Sequence, residues 1–179
     1  MNPKEAAQVR FRMGQVLHER LNDSDRAVEC LGAALRDDPQ HRPALMHLRR
    51  IHSARGNWDV ALQIAEVEIE LPMPPAERAG LLSEIGVLWL DRLDDPQQAL
   101  SQFESALEEQ PDRREALEGA ARAYERCDRH REAAESWEQL AAQLKGPARA
   151  AVQVSLAKLA EGPLAQAERA QDLYRNALG

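Results

Sequence analysis

Little in this sequence is aromatic. Phe, Trp and Tyr together make up 4% of its 179 residues, so any core must be built from Leu, Ala, Val and Ile. Cysteine is nearly absent: Cys30 and Cys127 stand far apart, with no CxxC spacing and no cluster of histidines beside either. Two such isolated residues argue against a disulfide framework or a zinc site and are expected to be ordinary thiols. No segment approaches the ~18 apolar residues of a membrane-spanning helix. The start, MNPKEAAQVRFRMG, has no apolar run of the length a signal peptide needs. A cytoplasmic chain with no membrane span is the expectation. Positive charge is in deficit, with a formal net charge of −7, which disfavours a non-specific hold on nucleic-acid phosphates.

Catalytic signatures are missing too. The five histidines, His18, His41, His47, His52 and His130, include no HExxH and no pair four residues apart, the spacing at which two imidazoles on one helix face share a zinc ion. There is no GxxxxGK[ST] loop to cradle a phosphate and no GxSxG elbow to present a serine. Glu108-Glu109 and Asp94-Asp95 read as solvated faces and caps. A protein that is not an enzyme and takes no cofactor or metal is predicted.

What is present is a periodic arrangement of small and bulky residues. Between Glu84 and Pro111 the chain reads as two short helices joined by a turn, with Gly86, Ala99 and Ala106 set among Ile85, Trp89 and Phe103. Small residues let helix backbones approach, and bulky ones fill the space beside the contact. The pattern also occurs 72 positions earlier: Gly14, Arg20, Asp23, Ala27, Ala34, Leu35 and Pro39 match Gly86, Arg92, Asp95, Ala99, Ala106, Leu107 and Pro111. A first helix is expected from about Lys4 to Arg20, and another from His41 to Ala54, ended at Gly56-Asn57. Asp95-Pro96 sets a capping acid before a proline suited to the first helical position. Pro72, Pro74 and Pro75 read as a longer loop inside one array, and Gly146-Pro147 opens a last, less regular unit.

Ala27, Ala61, Ala99, Ala133 and Ala170 are separated by 34, 38, 34 and 37 residues, a period that belongs to solenoids of two-helix units. At these residues the chain resembles the tetratricopeptide repeat family. Its unit carries a small residue at the eighth position, alanine at the twentieth, a bulky residue at the twenty-fourth, a small one at the twenty-seventh and proline near the end. Gly14, Ala27, Leu31, Ala34 and Pro39 fill these places in the first unit, and Gly86, Ala99, Phe103, Ala106 and Pro111 in the third. Units one and three carry an extra residue between their helices. Arg49 and Ala121 stand at the small eighth place of units two and four, and Glu68 and Leu140 at the second small place. The resemblance implies an all-α, right-handed α-solenoid of about five helix-turn-helix repeats. These would form a single array over 1–179, with units near 4–39, 40–74, 75–111, 112–145 and 146–179.

The resemblance also implies a scaffold that binds a peptide or protein segment in a groove lined by the first helices, without chemistry of its own. Carried over position by position, the lining residues are Phe11, Gln15 and His18, then Met46, His47, Arg50 and Ser53. Ser83, Val87 and Leu90 follow from the third unit, and Glu118, Arg122 and Glu125 from the fourth. Apolar groups flanked by Arg and Gln suit a short amphipathic segment. Some members grip a chaperone's terminal carboxylate with Lys, Asn and Arg. Here Phe11, Gln15, His47, Gly80 and Glu84 stand at those places, so acidic chaperone tails are not expected ligands.

Each lining residue also has a plainer reading. Phe11 and Val87 suit packing against a neighbouring unit, and Arg50, Arg122 and Glu125 suit a solvated face. Trp58, Trp89 and Trp137 fall within the apolar pattern and read as core. Two other functions stay open. The last helix presents Leu173, Tyr174 and Leu178 with no polar helix after it, which would allow a homo-oligomer to form through the terminal repeat. RNA binding is disfavoured by the mixed charge and few aromatics of the groove.

Overall fold

The computed structural model describes residues 2–178. Among them are ten helices and no strand: α1 (Pro3–Glu19), α2 (Ser24–Asp37), α3 (Arg42–Ala54), α4 (Trp58–Ile69), α5 (Pro75–Asp91), α6 (Pro96–Glu109), α7 (Arg114–Arg126), α8 (His130–Gln143), α9 (Gly146–Glu161) and α10 (Ala167–Leu178). Consecutive helices pair as five hairpins, the all-α repeat architecture expected. Contacts divide the chain into two compact units, Met1–Met73 and Pro74–Gly179, parted at the proline cluster. In the first unit α2 packs on α3 and α1 reaches α3. In the second, α6 and α5 pack on α7, and α8 packs on α9.

The turn inside each hairpin is made the same way five times. One residue takes the left-handed conformation: Asn22 (φ 53°), Gly56 (74°), Asp94 (58°), Asp128 (58°) and Ala165 (52°). Asn and Asp tolerate this region better than most side chains, and Gly freely. Asn22 and Asp94 are 72 residues apart, as are Gly56 and Asp128, so the internal repeat extends to the backbone angles. The following residue starts the second helix. Asp23 accepts from the Arg26 N–H at 3.1 Å, and Asp95 from the N–H groups of Gln97 and Gln98 at 3.1 and 3.0 Å. Such caps each stabilise by about 1 kcal/mol. The extra residue of units one and three is absorbed in the bond that closes the turn. Asp23 N–H donates to Leu17 C=O and Asp95 N–H to Trp89 C=O, six residues back. Asn57 and Arg129 reach only five, to His52 and Tyr124. The fifth hairpin also takes the longer form, Gln166 donating to Ala160.

Close approach explains the small residues. A Cβ built on Gly14 would lie 2.8 Å from Leu31 Cγ, and one on Gly86 would lie 2.6 Å from Phe103 Cε1. Phe103 is wholly buried, as are Leu31 and the anchoring Ala27, Ala61, Ala99 and Ala133. The second hairpin solves the same contact differently. Arg49 and Glu68, which replace its two small residues, are partners: Arg49 Nε lies 3.1 Å from Glu68 Oε2, while Arg42 Nε lies 3.4 Å from Glu68 Oε1. The Glu68 side chain is 1% exposed, and burial on this scale is tolerable only because its charge is met from both sides. In the fourth hairpin Leu140 joins Trp137 and Ala141 of α8 in a cluster with Val152, Leu156 and Leu159 of α9. Trp58 and Trp89 are half-buried.

Candidate interaction surfaces on the first helices

In the first unit, α1 and α3 bring together a ring cluster. The Phe11 ring lies 5.3 Å from His41 and 6.3 Å, edge-on, from His47. His18 meets His47 edge-on at 5.3 Å. His41 begins α3: its Nδ1 accepts from the Ala44 N–H at 3.2 Å. That leaves the proton on Nε2, which donates to Gln8 Oε1 at 3.0 Å. His18 Nδ1 bonds Ser24 Oγ at 3.0 Å. His47 is buried, with Nε2 lacking a hydrogen-bond partner. Burial, then the neighbouring His18, holds its pKa below the ordinary histidine value; Arg50 acts in the same direction and Glu19 against it. The imidazole is therefore neutral at physiological pH and behaves as part of the ring packing.

Around this cluster lie the more accessible groups. Met46 is 40% exposed, Arg50 is exposed, and Ser53 and Phe11 are half-buried. Arg12 stands over the Phe11 ring at 5.9 Å and donates to Gln15 Oε1 at 3.1 Å. Gln15 in turn donates to Glu19 at 3.3 Å. The result is an apolar spot bordered by polar groups that include the guanidinium groups of Arg12 and Arg50 and the carboxylate of Glu19.

In the second unit the carried-over residues separate by role. Val87 on α5 and Glu118 and Arg122 on α7 are exposed. Leu90 is 1% exposed and belongs to the interior, and Ser83 is buried, its Oγ donating to the Ala79 carbonyl at 2.7 Å. Glu125 accepts from the Trp137 indole N–H at 2.7 Å, which ties it to the core. Arg122 holds Asp91 through two bonds of 2.6 and 3.4 Å. Arg126 bonds the Leu90 carbonyl at 2.5 Å and pairs with Asp94. Together they clip α7 to the C-terminal end of α5.

Sequence reasoning missed Ser24 and Asp91 as partners of the lining residues His18 and Arg122, and Gln8 as the partner of His41. It placed His41 at the start of a helix but not as its side-chain cap or as part of the ring cluster, although a histidine just before the first turn of a helix with proline at its second position was the available signal. Among the described residues no group of three or more His, Cys, Asp or Glu side chains is placed to hold a metal ion. Nor, among the described residues, is any helix long and apolar enough to cross a membrane. Cys30 and Cys127 are free and half-buried.

Serial helical hairpins with small residues at their contacts and mixed surfaces on their first helices define the class of helical-repeat binding scaffolds. The tetratricopeptide repeat family model matches residues 5–73 and 90–151, and the chain belongs to that family. Among solved structures it is similar to a MamA protein, at 18% identity and a TM-score of 0.78, covering 97% of this chain and 91% of that one. It is similar also to YrrB, described as a TPR protein with an unusual peptide-binding site, at 19% identity and a TM-score of 0.77, covering 98% and 86%. PilF of Pseudomonas aeruginosa aligns at 18% identity and a TM-score of 0.69, covering 99% and 79%. No curated relative matches the sequence significantly.

Proposed function

We propose that this protein is a non-enzymatic interaction scaffold that holds a short amphipathic peptide or protein segment against its first helices. The observation that carries the reading is the Phe11–Met46–Arg50 surface, where accessible apolar atoms sit beside an exposed guanidinium over a buried, neutral histidine. A segment with one or two large apolar side chains and a carboxylate fits that chemistry. The peptide-binding site named for YrrB supports the same mode of use in a chain of this fold. In the second unit, Val87, Glu118 and Arg122 are the accessible candidates, while Leu90 and Glu125 act in support.

Peptides selected from a displayed library against the full chain, then titrated by calorimetry, test this. Met46→Ala with Arg50→Glu is expected to weaken the selected peptides by about tenfold or more, the effect of losing an anchor and reversing a charge. Unchanged affinity in that variant would overturn the assignment.

A further inference from the structure

We propose that α1 and α10 are the two halves of a head-to-tail contact between copies of this chain, the last helix of one copy lying on the outer face of α1 of the next. In this fold the first helix of a hairpin receives the second helix of the hairpin before it, at three recurring places. In α3 these are Ala44, Leu48 and Ile51, clustered with Leu31 and Ala34 of α2. In α9 they are Val152, Leu156 and Leu159, clustered with Trp137, Leu140 and Ala141 of α8. All six are buried. The same places in α1, 35 residues before those of α3, hold Val9, Met13 and Val16, which are 57%, 51% and 50% exposed. They lie two positions from Phe11, Gln15 and His18, about 200° round the helix, so this face is separate from the proposed peptide surface.

The complementary half is on the same molecule. Tyr174, Ala177 and Leu178 of α10 follow Leu31, Ala34 and Leu35 of α2 by 143 residues. Leu35 packs on the cluster that contains Ala44, Leu48 and Ile51, whereas Leu178 is 91% exposed. Charge supports a second copy as the occupant. Between the first two hairpins Arg55, the C-cap of α3, donates to Asp25 in the first turn of α2 at 2.7 Å. The corresponding residues are Arg20, the C-cap of α1, and Glu168 in the first turn of α10. Both are exposed, and neither has a side-chain ion pair among the described residues. Stacked in register, α10 and α1 of successive copies would cover their apolar residues and bring Glu168 to Arg20. Such a contact is heterologous, so it propagates instead of closing at a dimer.

Sedimentation velocity of the full chain over a wide concentration range is the test. The mass is expected to rise with concentration. Met13→Asp and Leu178→Asp, both at exposed sites, should each stay monomeric alone. Mixed, they should form a one-to-one dimer and nothing larger, since each retains the half that the other has lost. Arg20→Glu should weaken association by about tenfold, with recovery on adding Glu168→Arg, as expected for a reversed and then restored pair. A parent chain monomeric up to millimolar concentration overturns the proposal and leaves the α1 face to a different protein. Assembly that survives Met13→Asp, or mixed variants that do not pair, overturns it equally.

Discussion

The ring of Phe103 occupies the space a side chain at Gly119 would need: its Cε1 and Cζ lie 2.3 Å from where a Cβ would stand. Phe103 is on α6 and Gly119 on α7, so a single hydrogen on one hairpin admits the largest fully buried side chain of another. Gly86 of α5 opens the other approach to the same ring. The places 72 residues earlier hold Leu31, Gly14 and His47: a smaller side chain is used where the third position carries an imidazole instead of a hydrogen.

Gly119→Ala is therefore expected to destabilise the second unit. Helix propensity alone would favour alanine by about 1 kcal/mol. A contact of 2.3 Å forces the ring or the helix to move, and overpacking of this kind costs about 1–3 kcal/mol and sometimes more. Urea denaturation followed by circular dichroism should show the loss. Adding Phe103→Leu should recover part of it, and a Gly119→Ala chain more stable than the parent would contradict the packing described.

Glu68→Ala should be among the most damaging single changes in the first unit. It leaves the guanidinium of Arg49, 11% exposed, beside an empty site, and breaking a buried pair from one side costs about 3–5 kcal/mol. The double variant Arg49→Ala/Glu68→Ala restores the two small residues used elsewhere and should lie closer to the parent than Glu68→Ala does. Additive losses in a double-mutant cycle would exclude this coupling.

Acidification should loosen the first unit before the carboxylates titrate. His47 is held below its ordinary value of 6.5 in the folded chain, by burial first and then by His18. The unfolded chain therefore takes up the proton more readily. The associated stability is fully present above pH of about 6.5 and is lost as pH falls through the lowered native value. His52, lowered by burial and by Arg55, contributes with the same sign. Thermal melts between pH 7 and 5 should fall, less steeply in His47→Leu, and the His47 ring resonances should titrate below those of an unfolded-peptide control.

Arg122→Ala should separate binding from folding. The Arg122 and Asp91 side chains are 44% and 32% exposed, and exposed pairs contribute about 0–1 kcal/mol. The melting temperature should barely move, while a peptide bound at the second unit should weaken. Glu125→Ala should behave in the opposite way, because it leaves the buried Trp137 N–H without its acceptor at a cost of about 1–3 kcal/mol.

The helices, their period and the break at Gly56 were legible along the chain because they depend on local chemistry, whereas the left-handed turns at Asn22, Asp94, Asp128 and Ala165 emerged only from the backbone angles. Asp95-Pro96 starts a helix by capping and a fixed φ, Gly56 ends one turn, and alanines recur at spacings that small-residue contacts demand. The sequence by itself thus determined an all-α hairpin repeat and its family resemblance. Helical periodicity places a residue on a face, but whether that face meets water depends on what the tertiary structure lays against it. That is why Leu90, carried over as a groove residue, is interior while Val87 on the same helix is open. Likewise Arg49 and Glu68, two lapses from the pattern when read singly, are one buried ion pair, visible only once α3 and α4 lie side by side.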